Sequence, residues 1–530
     1  MNTDKIFELL EQNPELHNHD LAPTLGLDFY QLTTAYSHFK NKSHNTKTVF
    51  DYYFRKSPYN KNSFAFSSGL DHLIQYITRL RFTSYQIEYL RNLNRFSEDF
   101  LQYLKDFRFT GTMHALEEGT LTGAEVRGVV LEATVVEQHI IESHLLNTKN
   151  SETNWMTLAV KMLHASGEDR LWEGGLRRAQ GIDASIWSAR AGYIAGMAGT
   201  SNVEAGYRFG VPLVGTHPHA WIQFFNSEFD AFMAYYRANP ENTSLLVDTF
   251  NVLESGVPNA IKVAKIAESE GNRIKGIRID SGDLAYLSRE ARKMLDEAGL
   301  DYVGITASDS LNVQLINSIK QQGSAMSDWL VGTDYVTARK DPALGGVFKL
   351  VAIENTSGEM EYDLTKERVL EIIGEGDEYG KFKETLDHWI PKIKISDNPE
   401  KVLLPGRKKQ YRIIDNKTNK HVTDLICLEH ETIDTSKPFK LFDPIYKFRK
   451  KTIEDYRVEE LLKPIFVNGQ LVYQQKSLEE MREYVQEQKS LLWDEQLRDE
   501  NPSPYFVNIS EELLKLRDVM IDLERQKIEG

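Results

Sequence analysis

The stretch IKGIRIDSGDLAYLSREARKMLDEAGLDYVGITASDS, residues 274–310, indicates the fold class. Its two ends are short runs rich in β-branched residues, and its middle has the apolar spacing of an amphipathic helix. The pattern predicts a strand, a helix and a second strand, for which a parallel sheet is the usual arrangement. Each strand-like run ends in a polar cluster, marked by Asp280 in the first and Ser308 in the second.

The same alternation extends through the middle third of the chain. Five strand-like runs end in small polar clusters, and the ends are marked by Thr216, Asp248, Asp280, Ser308 and Gly332. Successive markers lie 32, 32, 28 and 24 residues apart. This spacing suits a (β/α) barrel, whose active sites lie at the carboxyl ends of the strands. Turn and helix-capping chemistry explains one or two such clusters, whereas five in phase favour a shared active-site mouth.

The composition is that of an ordinary globular protein, with 41% hydrophobic and 27% charged residues among 530. The length favours more than one domain. A net charge of −15 argues against a nucleic acid partner, and the single cysteine, Cys427, excludes an internal disulfide and a cysteine-based zinc site. No apolar run reaches the roughly 18 residues of a membrane span. The N-terminal text has neither a signal-peptide nor a transit pattern, so we expect a cytoplasmic location.

Outside the middle third the pattern differs. Residues 1–110 read as mostly helical, and a further helix is expected near Val135 to Leu146. After Lys349 the sequence predicts an antiparallel meander, and from Leu478 onward it predicts charged helices. We therefore expect a barrel inserted into a second domain. The expected segments are an N-terminal helical and sandwich part at 1–165, a (β/α) barrel catalytic domain at 166–350, and a return to the sandwich with C-terminal helices at 351–530.

Three glycine-containing motifs suit a phosphate ligand. GGLRRAQG, residues 174–181, combines glycines that let the backbone approach a ligand with the forked donors of two arginines. GTSNVEAGYRFG, residues 199–210, predicts a tight turn with Ser or Thr capping a short helix, whose free N-terminus suits an anion. In ALGGVFKL, residues 343–350, two glycines stand at the start of a strand-like run, and their backbone N–H groups could donate to a phosphate.

The motif RIDSGD, residues 278–283, places a cation and two acids at one strand end. Alternation along the strand points Arg278 and Asp280 to the same side, into the mouth. Together with the histidines of GTHPH, residues 215–219, these motifs indicate phosphate handling with Mg²⁺ and histidine chemistry. The sequence contains neither GxxxxGK[ST] nor GxGxxG, which argues against a P-loop ATPase or a Rossmann dehydrogenase.

With these motifs in order, the sequence resembles the nicotinate phosphoribosyltransferase family. The matching text is GLDFYQLT near the start, GLRRAQGIDASIWSARAGYIAGMAGTSNVEAGYRFGVPLVGTHPHAW, RIDSGDL, ASDSLN, VGTDYVT with PALGGVFKL, and NPEKVLLPGRKKQYR. The resemblance runs from about Gly26 to the neighbourhood of Arg412 and covers most of the chain.

The resemblance implies a fold and a reaction. The fold is α/β, an irregular (β/α) barrel of the type II phosphoribosyltransferase kind with an α+β open-faced sandwich domain formed by both chain ends. The enzymes it resembles are homodimers whose active sites are shared between subunits. The implied reaction condenses nicotinate with 5-phosphoribosyl 1-diphosphate to nicotinate mononucleotide and diphosphate in NAD salvage, with Mg²⁺ and with ATP as co-substrate. The partners are then these small molecules, without nucleic acid or membrane.

The resemblance also assigns the nicotinate pocket by position. Tyr30 would cover the pyridine ring, reaching in from the other subunit. Thr216 and Arg278 would contact the nicotinate or hold its carboxylate. Many relatives place a second stacking aromatic just before the Arg-Arg pair, but here Gly174 and Gly175 stand there, with Trp172 nearby.

The phosphate contacts follow in the same way. Arg177 and Arg178 would bind phosphates of the ribosyl donor. Asp280 would lie on the Mg²⁺–diphosphate side or hold Arg278. The 5′-phosphate or the ribose would be cradled by Ser308, Asp309, Gly332, Thr333, Gly345 and Gly346.

The two histidines of GTHPH receive different roles. In the family pattern Gly-Thr-x-x-His the last histidine is phosphorylated by ATP, so the resemblance makes His219 the phosphohistidine. Asp248 at the next strand end would hold one ring nitrogen and leave the other as nucleophile. His217 has no place in the pattern and is interpreted as local support, and no mechanism is assigned to Pro218.

Three alternatives remain. A nicotinamide phosphoribosyltransferase shares the fold and the phosphohistidine, but such enzymes carry an aspartate where Ser201 stands. A neutral serine permits the nicotinate carboxylate, which an aspartate would repel. A quinolinate phosphoribosyltransferase is disfavoured because those chains are much shorter and lack the ATP-linked histidine. A catalytically silent binding module is disfavoured because the functional side chains are retained together.

Overall fold

The computed structural model describes residues 3–13, 23–356, 366–374, 377–446 and 448–529 of the chain. Its α-helices, in chain order, are α1 (Thr3–Gln12), α2 (Phe29–Lys40), α3 (Leu70–Thr78), α4 (Ser84–Asn92), α5 (Glu98–Asp106), α6 (Val135–Ser166), α7 (Ile182–Ala195), α8 (Val203–Phe209), α9 (His219–Phe224), α10 (Glu228–Ala238), α11 (Val257–Ser269), α12 (Leu284–Glu297), α13 (Val313–Gln321), α14 (Thr333–Val336), α15 (Lys366–Ile373), α16 (Asp377–His388), α17 (Leu478–Ser490), α18 (Asp494–Leu497) and α19 (Glu511–Glu529). Short 3₁₀ helices lie at Pro23–Leu25, Leu176–Arg178 and Pro399–Lys401, and a π-helical turn lies at Val252–Gly256.

The strands, in chain order, are β1 (Lys47–Phe54), β2 (Phe64–Phe66), β3 (Thr112–Leu116), β4 (Leu121–Gly123), β5 (Val129–Thr134), β6 (Arg170–Glu173), β7 (Gly199–Thr200), β8 (Ser244–Leu246), β9 (Gly276–Ile279), β10 (Gly304–Ala307), β11 (Asp328–Val331), β12 (Gly346–Glu354), β13 (Trp389–Pro391), β14 (Lys408–Asp415), β15 (His421–Leu428), β16 (Phe439–Phe442), β17 (Lys450–Ile453), β18 (Tyr456–Glu460), β19 (Leu462–Val467), β20 (Gln470–Leu471) and β21 (Val507–Ile509). They form two six-stranded sheets, a seven-stranded sheet and a two-stranded pair.

The middle third of the chain forms a curled parallel sheet, a half-barrel, with the strand order β7-β6-β11-β10-β9-β8. Helices α11, α12 and α13 contribute their small and aliphatic faces to the same core as the strands. Asp283 and Asn312 accept backbone N–H groups at the starts of α12 and α13, so part of each polar cluster is helix-capping chemistry. The predicted strand–helix–strand reading of residues 274–310 is confirmed.

The first of the five predicted strands, residues 211–214, forms only a single bridge from Leu213 to Thr200. The Thr200 N–H donates to the Pro212 carbonyl and the Val214 N–H donates to the Thr200 carbonyl, each at 2.9 Å. Pro212 has no N–H and Gly215 follows at once, so the segment cannot propagate a ladder. The sheet is therefore open between residues 211–214 and β8.

A seven-stranded sheet unites distant parts of the chain in the order β13-β12-β1-β5-β3-β19-β20. Helix α6, whose 32 residues begin at a capping box of Thr134 and Glu137, packs against this sheet and against α7. The sandwich domain built from both chain ends is thus confirmed. Strand β1 was not anticipated in the helical reading of residues 1–110, because its residues are nearly all buried and show no alternation.

The C-terminal sheet has the order β17-β16-β21-β15-β14-β18, and β14 and β15 form the predicted antiparallel pair. Arg412 of β14 is fully buried and forms an ion pair with Asp424 of β15 at 3.0 Å. Tyr505 donates to the same carboxylate at 2.6 Å, which satisfies a charge that would otherwise be costly to bury.

The domain boundaries predicted at residues 165 and 350 stay predictions. Helix α6 runs to Ser166 and β12 begins at Gly346. Within the described ranges, every helix is too short or too polar to cross a membrane.

A glycine at the open edge of the half-barrel gives a stability prediction. A Cβ at Gly199 would lie 2.3 Å from the Pro212 carbonyl oxygen, a backbone atom that cannot rotate away. We expect Gly199→Ala to destabilise the protein by about 1–3 kcal/mol in urea unfolding. Gly380→Ala, in α16 with open space around the new Cβ, is the control and should cause no loss. Equal unfolding midpoints for the two variants would contradict this account of the edge.

Candidate active site

A cavity of about 1050 Å³ opens at the carboxyl ends of the parallel strands. Its mouth is lined by residues from the predicted strand ends and from the arginine-rich turn, namely Arg177, Arg178, Ser201, Thr216, His217, His219, Arg278, Asp280, Ser308, Asp309, Gly332 and Thr333. The cavity continues through the curled sheet to the strand starts, where Arg170, Arg273 and Lys275 line it. The structure thus gathers most of the predicted site residues into one space, as expected for strand ends of a parallel sheet.

Arg278 on β9 is the centre of the hydrogen-bond network in this mouth. Its Nε donates to Ser308 Oγ at 2.8 Å, its Nη1 to Thr216 Oγ1 at 2.8 Å, and its Nη2 to Asp280 Oδ1 at 2.9 Å. The side chain is 13% exposed, so its charge is largely removed from water and needs these partners. The three bonds confirm that Arg278 and Asp280 point to the same side of the strand.

Asp280 is held ionised by its neighbours. Burial alone would raise the pKa of Asp280, but hydrogen bonds from Ser308 and Arg278 and the charge of Arg278 outweigh it and place the pKa below its usual value. Both described donors bind Oδ1. Among the described residues there is no cluster of three or more His, Cys, Asp or Glu side chains that could cage a metal. One such carboxylate suits Mg²⁺ that takes most of its ligands from water and substrate phosphates.

His219 and Asp248 form a pair at the edge of the mouth. Asp248 Oδ1 lies 3.1 Å from His219 Nε2, and its Oδ2 accepts the Asp280 N–H at 3.1 Å and the Ser281 hydroxyl at 2.6 Å. An ionised carboxylate only accepts, so this bond assigns the ring proton to Nε2 and leaves Nδ1 with a lone pair. The His219 side chain is 42% exposed while that of Asp248 is 1% exposed. The histidine can therefore meet a ligand while its carboxylate partner stays fixed.

The two arginines of GGLRRAQG lie exposed on the 3₁₀ helix Leu176–Arg178 beside the mouth. Beneath them, the Glu173 carboxylate accepts the Thr200 hydroxyl and the Gly175 N–H. Burial raises the pKa of Glu173, and both hydrogen bonds oppose that effect. The turn is thus joined to β7 by a buried side chain that the sequence analysis missed. The sequence feature that could have identified this residue is the position of Glu173 directly before Gly174 and Gly175.

Helix α8 begins three residues after Thr200, and its N-cap differs from the prediction. The cap is Asn202, whose side-chain oxygen accepts the N–H groups of Glu204 and Ala205, rather than a Ser or Thr. Ser201 is exposed and lines the cavity. Ser281 is a second residue that was missed, although it stands inside the quoted RIDSGD motif.

The end of β10 carries unusual backbone. Asp309 has a φ of 103° and Ser310 a φ of 44°, both in the left-handed region that side chains other than glycine rarely adopt. Such residues cost about 1–3 kcal/mol and persist where the surrounding structure holds them. Across the mouth, Gly332 and Thr333 begin α14. The predicted cradle for phosphate or ribose at the ends of β10 and β11 stays a prediction.

Four predicted site residues lie outside the cavity lining. Asp248 is buried behind His219, which does line the cavity. Gly345 and Gly346 precede and begin β12 in the other sheet, and a Cβ at Gly346 would lie 2.0 Å from Asn150 Oδ1. That glycine therefore serves close packing against α6. Tyr30 is on α2 with 59% of its surface exposed. Trp172 does line the cavity, with its indole N–H donating to Asp328 at 2.9 Å near the strand starts.

Comparisons with known proteins agree on one family. Sequence models of the nicotinate phosphoribosyltransferase N-terminal domain and C-terminal domain match residues 25–150 and 407–517. The chain is 38% identical over 495 residues to nicotinate phosphoribosyltransferase of Bacillus subtilis (strain 168), covering 93% of this chain and 94% of that protein. It is 31% identical over 542 residues to the Dictyostelium discoideum protein of the same name, covering 92% and 86%. The crystal structure of human nicotinic acid phosphoribosyltransferase superposes with a TM-score of 0.78 at 25% identity, covering 93% of this chain and 99% of that one.

The charges at the mouth predict where an anion binds. We expect inorganic diphosphate to bind beside the arginine-rich turn, and Arg178→Ala to weaken binding at least about tenfold in calorimetry, since hydrogen bonds to charged groups contribute roughly 1.5–3 kcal/mol. Arg170→Ala removes a cation from the opposite end of the same cavity and is the matched control. A larger loss for the Arg170 variant would place the anion site at the strand starts instead.

Proposed function

The chain belongs to the nicotinate phosphoribosyltransferase family of NAD salvage enzymes, and on this premise we propose that it condenses nicotinate with 5-phosphoribosyl 1-diphosphate, coupled to ATP hydrolysis through a phosphohistidine. The products are nicotinate mononucleotide and diphosphate. The observation that carries the proposal is the His219–Asp248 pair. His219 lines the same cavity as Arg278, and Asp248 accepts the backbone N–H of Asp280, whose carboxylate binds Arg278.

The geometry of the pair supports phosphorylation on Nδ1. The Nδ1 lone pair would attack the γ-phosphorus of ATP, forming the N–P bond as the P–O bond to ADP breaks. Asp248 keeps the Nε2 proton through this step and stabilises the positive charge that develops on the ring. Water later cleaves the N–P bond and releases inorganic phosphate. His219 begins α9, a position that leaves its ring open to the cavity.

Arg278 is suited to hold the nicotinate carboxylate. A guanidinium has five N–H donors, and the hydrogen bonds described use three of them. Two donors are thus left for a ligand carboxylate, in a planar geometry already fixed by Thr216, Ser308 and Asp280. The fixed geometry lowers the ordering cost of binding.

The ribosyl donor would lie across the mouth. Arg177 and Arg178 would bind its phosphates, with Ser308, Asp309, Gly332 and Thr333 around the 5′-phosphate or ribose. Asp280 would share Mg²⁺ with the diphosphate, and the ion would neutralise the leaving group. The phosphoryl group on His219 adds charge close to Asp248 and Asp280. ATP energy would favour product by stabilising this arrangement more than the substrate complex.

Two exposed regions support a homodimer with shared sites. Tyr30 lies exposed on α2, outside the cavity lining of its own chain, so its ring would cover nicotinate in the neighbouring subunit. Large apolar side chains near the mouth are also exposed, namely Ile182, Val203, Tyr207, Phe224 and Phe250. Several large exposed apolar side chains on one part of a protein are typical of an interface. A cytoplasmic location fits these substrates.

The alternative substrate nicotinamide is tested at Ser201. An aspartate there would stand in the lined cavity near the carboxylate of nicotinate. Like charges 4 Å apart repel by about 4 kcal/mol at an effective dielectric of 20, and less where water intervenes. We expect Ser201→Asp to lower the ratio of kcat/KM for nicotinate over nicotinamide at least about tenfold. Ser201→Asn, which changes size without charge, is the control. An unchanged ratio in the aspartate variant would show that the selectivity resides elsewhere.

The main experiment measures the phosphoenzyme. With γ-labelled ATP we expect protein-bound label that is stable in base and lost in acid in the wild type, and none in His219→Ala. Nicotinate-dependent ADP production should vanish with it. Slow synthesis of the mononucleotide without ATP stimulation should persist, because the Arg278 contacts remain. His164→Ala, which removes an exposed histidine of α6, is the control. Label retained on the His219 variant would refute the assignment.

A further inference from the structure

The open edge of the half-barrel lies beside the phosphate-accepting histidine. Strand β8 pairs with β9 on one side, where the Val247 N–H donates to the Arg278 carbonyl at 3.0 Å. On its other side the Leu246 N–H points to the gap left by residues 211–214. A buried backbone N–H without a partner costs about 1–3 kcal/mol, so this edge needs an acceptor.

His217 supplies the acceptor. Its Nε2 accepts the Leu246 N–H at 3.3 Å, and the residue is 3% exposed. The imidazole packs edge-on against Tyr235, with ring centroids 4.7 Å apart, and lies 6.0 Å from the ring of Phe232. Burial lowers the pKa of His217 to about 4, so the ring is neutral near pH 7. The bond from the Leu246 N–H then assigns the lone pair to Nε2 and the ring proton to Nδ1.

This hydrogen bond joins two segments that each carry half of the proposed site. His217 is between Thr216, which binds Arg278, and His219, while Leu246 precedes Asp248 by two residues. In the segment around His217, Pro212 and Pro218 lack backbone donors and Gly215 is conformationally free. Beyond Val214, whose N–H donates to Thr200, the side-chain bonds of Thr216 and His217 therefore contribute to its placement. Misplacing a reacting group by about 1 Å can reduce a reaction rate about a hundredfold. The hydrogen bond between Leu246 and His217 can therefore affect the rate of the reaction at His219.

We propose that His217 is a positioning residue, whose Nε2 closes the open edge of the half-barrel and sets the approach of His219 to Asp248. The expected effect on the rate of His219 phosphorylation rests on the proposed function. The role of His217 in closing the sheet edge at Leu246 rests on the backbone geometry alone. It explains why two histidines stand one residue apart. The first joins the edge of the sheet, and the second faces the cavity.

The test compares two substitutions at this position. His217→Leu removes the acceptor and retains apolar bulk, and His217→Gln retains an acceptor oxygen near the position of Nε2. We expect the leucine variant to lose at least about tenfold in the single-turnover rate of His219 phosphorylation, with little change in KM for ATP. The glutamine variant should recover to within about threefold of the wild type. Ile316→Val, which shortens a fully buried side chain of α13, is the stability control; it should lower thermal stability and leave the rate unchanged.

Hydrogen exchange of the Leu246 amide is the second readout. Exchange should accelerate at least about tenfold in His217→Leu and stay near wild type in His217→Gln. If the wild type takes no label, the phosphohistidine proposal fails, and the amide result still decides whether His217 closes the edge. If the wild type is labelled and both variants match its rate, the positioning role is wrong. If the leucine variant does not fold, the glutamine variant decides, and a folded, well-protected form that phosphorylates slowly overturns the proposal.

Discussion

The mouth of the half-barrel depends on the three hydrogen bonds that the Arg278 guanidinium donates. It binds one partner from the segment after the open edge, one from its own strand end and one from the end of β10. A charge that is 13% exposed would be costly without these partners, and each partner in turn is oriented by the charge. Strand ends that are distant in sequence thereby share a single geometry, which a ligand carboxylate can use without further ordering.

Asp248 connects this network to the histidine. One carboxylate oxygen meets His219, and the other meets the backbone of Asp280 and the hydroxyl of Ser281. Charge placed on the histidine is therefore separated from the Arg278–Asp280 pair by one side chain. Once bound ligands displace water from the cavity, such a separation strengthens the electrostatic coupling. The proposed use of ATP requires coupling of this kind, and the arrangement provides a direct route for it.

The regular part of the molecule was predictable from the sequence, and its exceptions were not. Strand ends at Asp248, Asp280 and Ser308 follow from a repeated pattern, and a parallel sheet brings such ends together. The open edge at Leu213 was not predictable, because it arises from the backbone N–H that Pro212 lacks. The group that takes its place in the sheet is set by tertiary contacts, which the local sequence does not reveal. Strand β1 was hidden because burial on both faces removes alternation. Gly346 resembled a phosphate contact by motif, yet its neighbour in space is Asn150.

The seven-stranded sheet has a consequence for how the chain acquires its structure. Its strand β3 pairs with β19, about 350 residues later, while all strands of the parallel sheet lie between Arg170 and Val331. Contacts of such long sequence separation are slow to form, because loop closure precedes any gain from pairing. During synthesis the half-barrel can be complete while the edge of β3 still awaits its partner. Unpaired edges of this kind promote aggregation. The nascent protein should therefore be most dependent on chaperones in the interval before residue 467 leaves the ribosome.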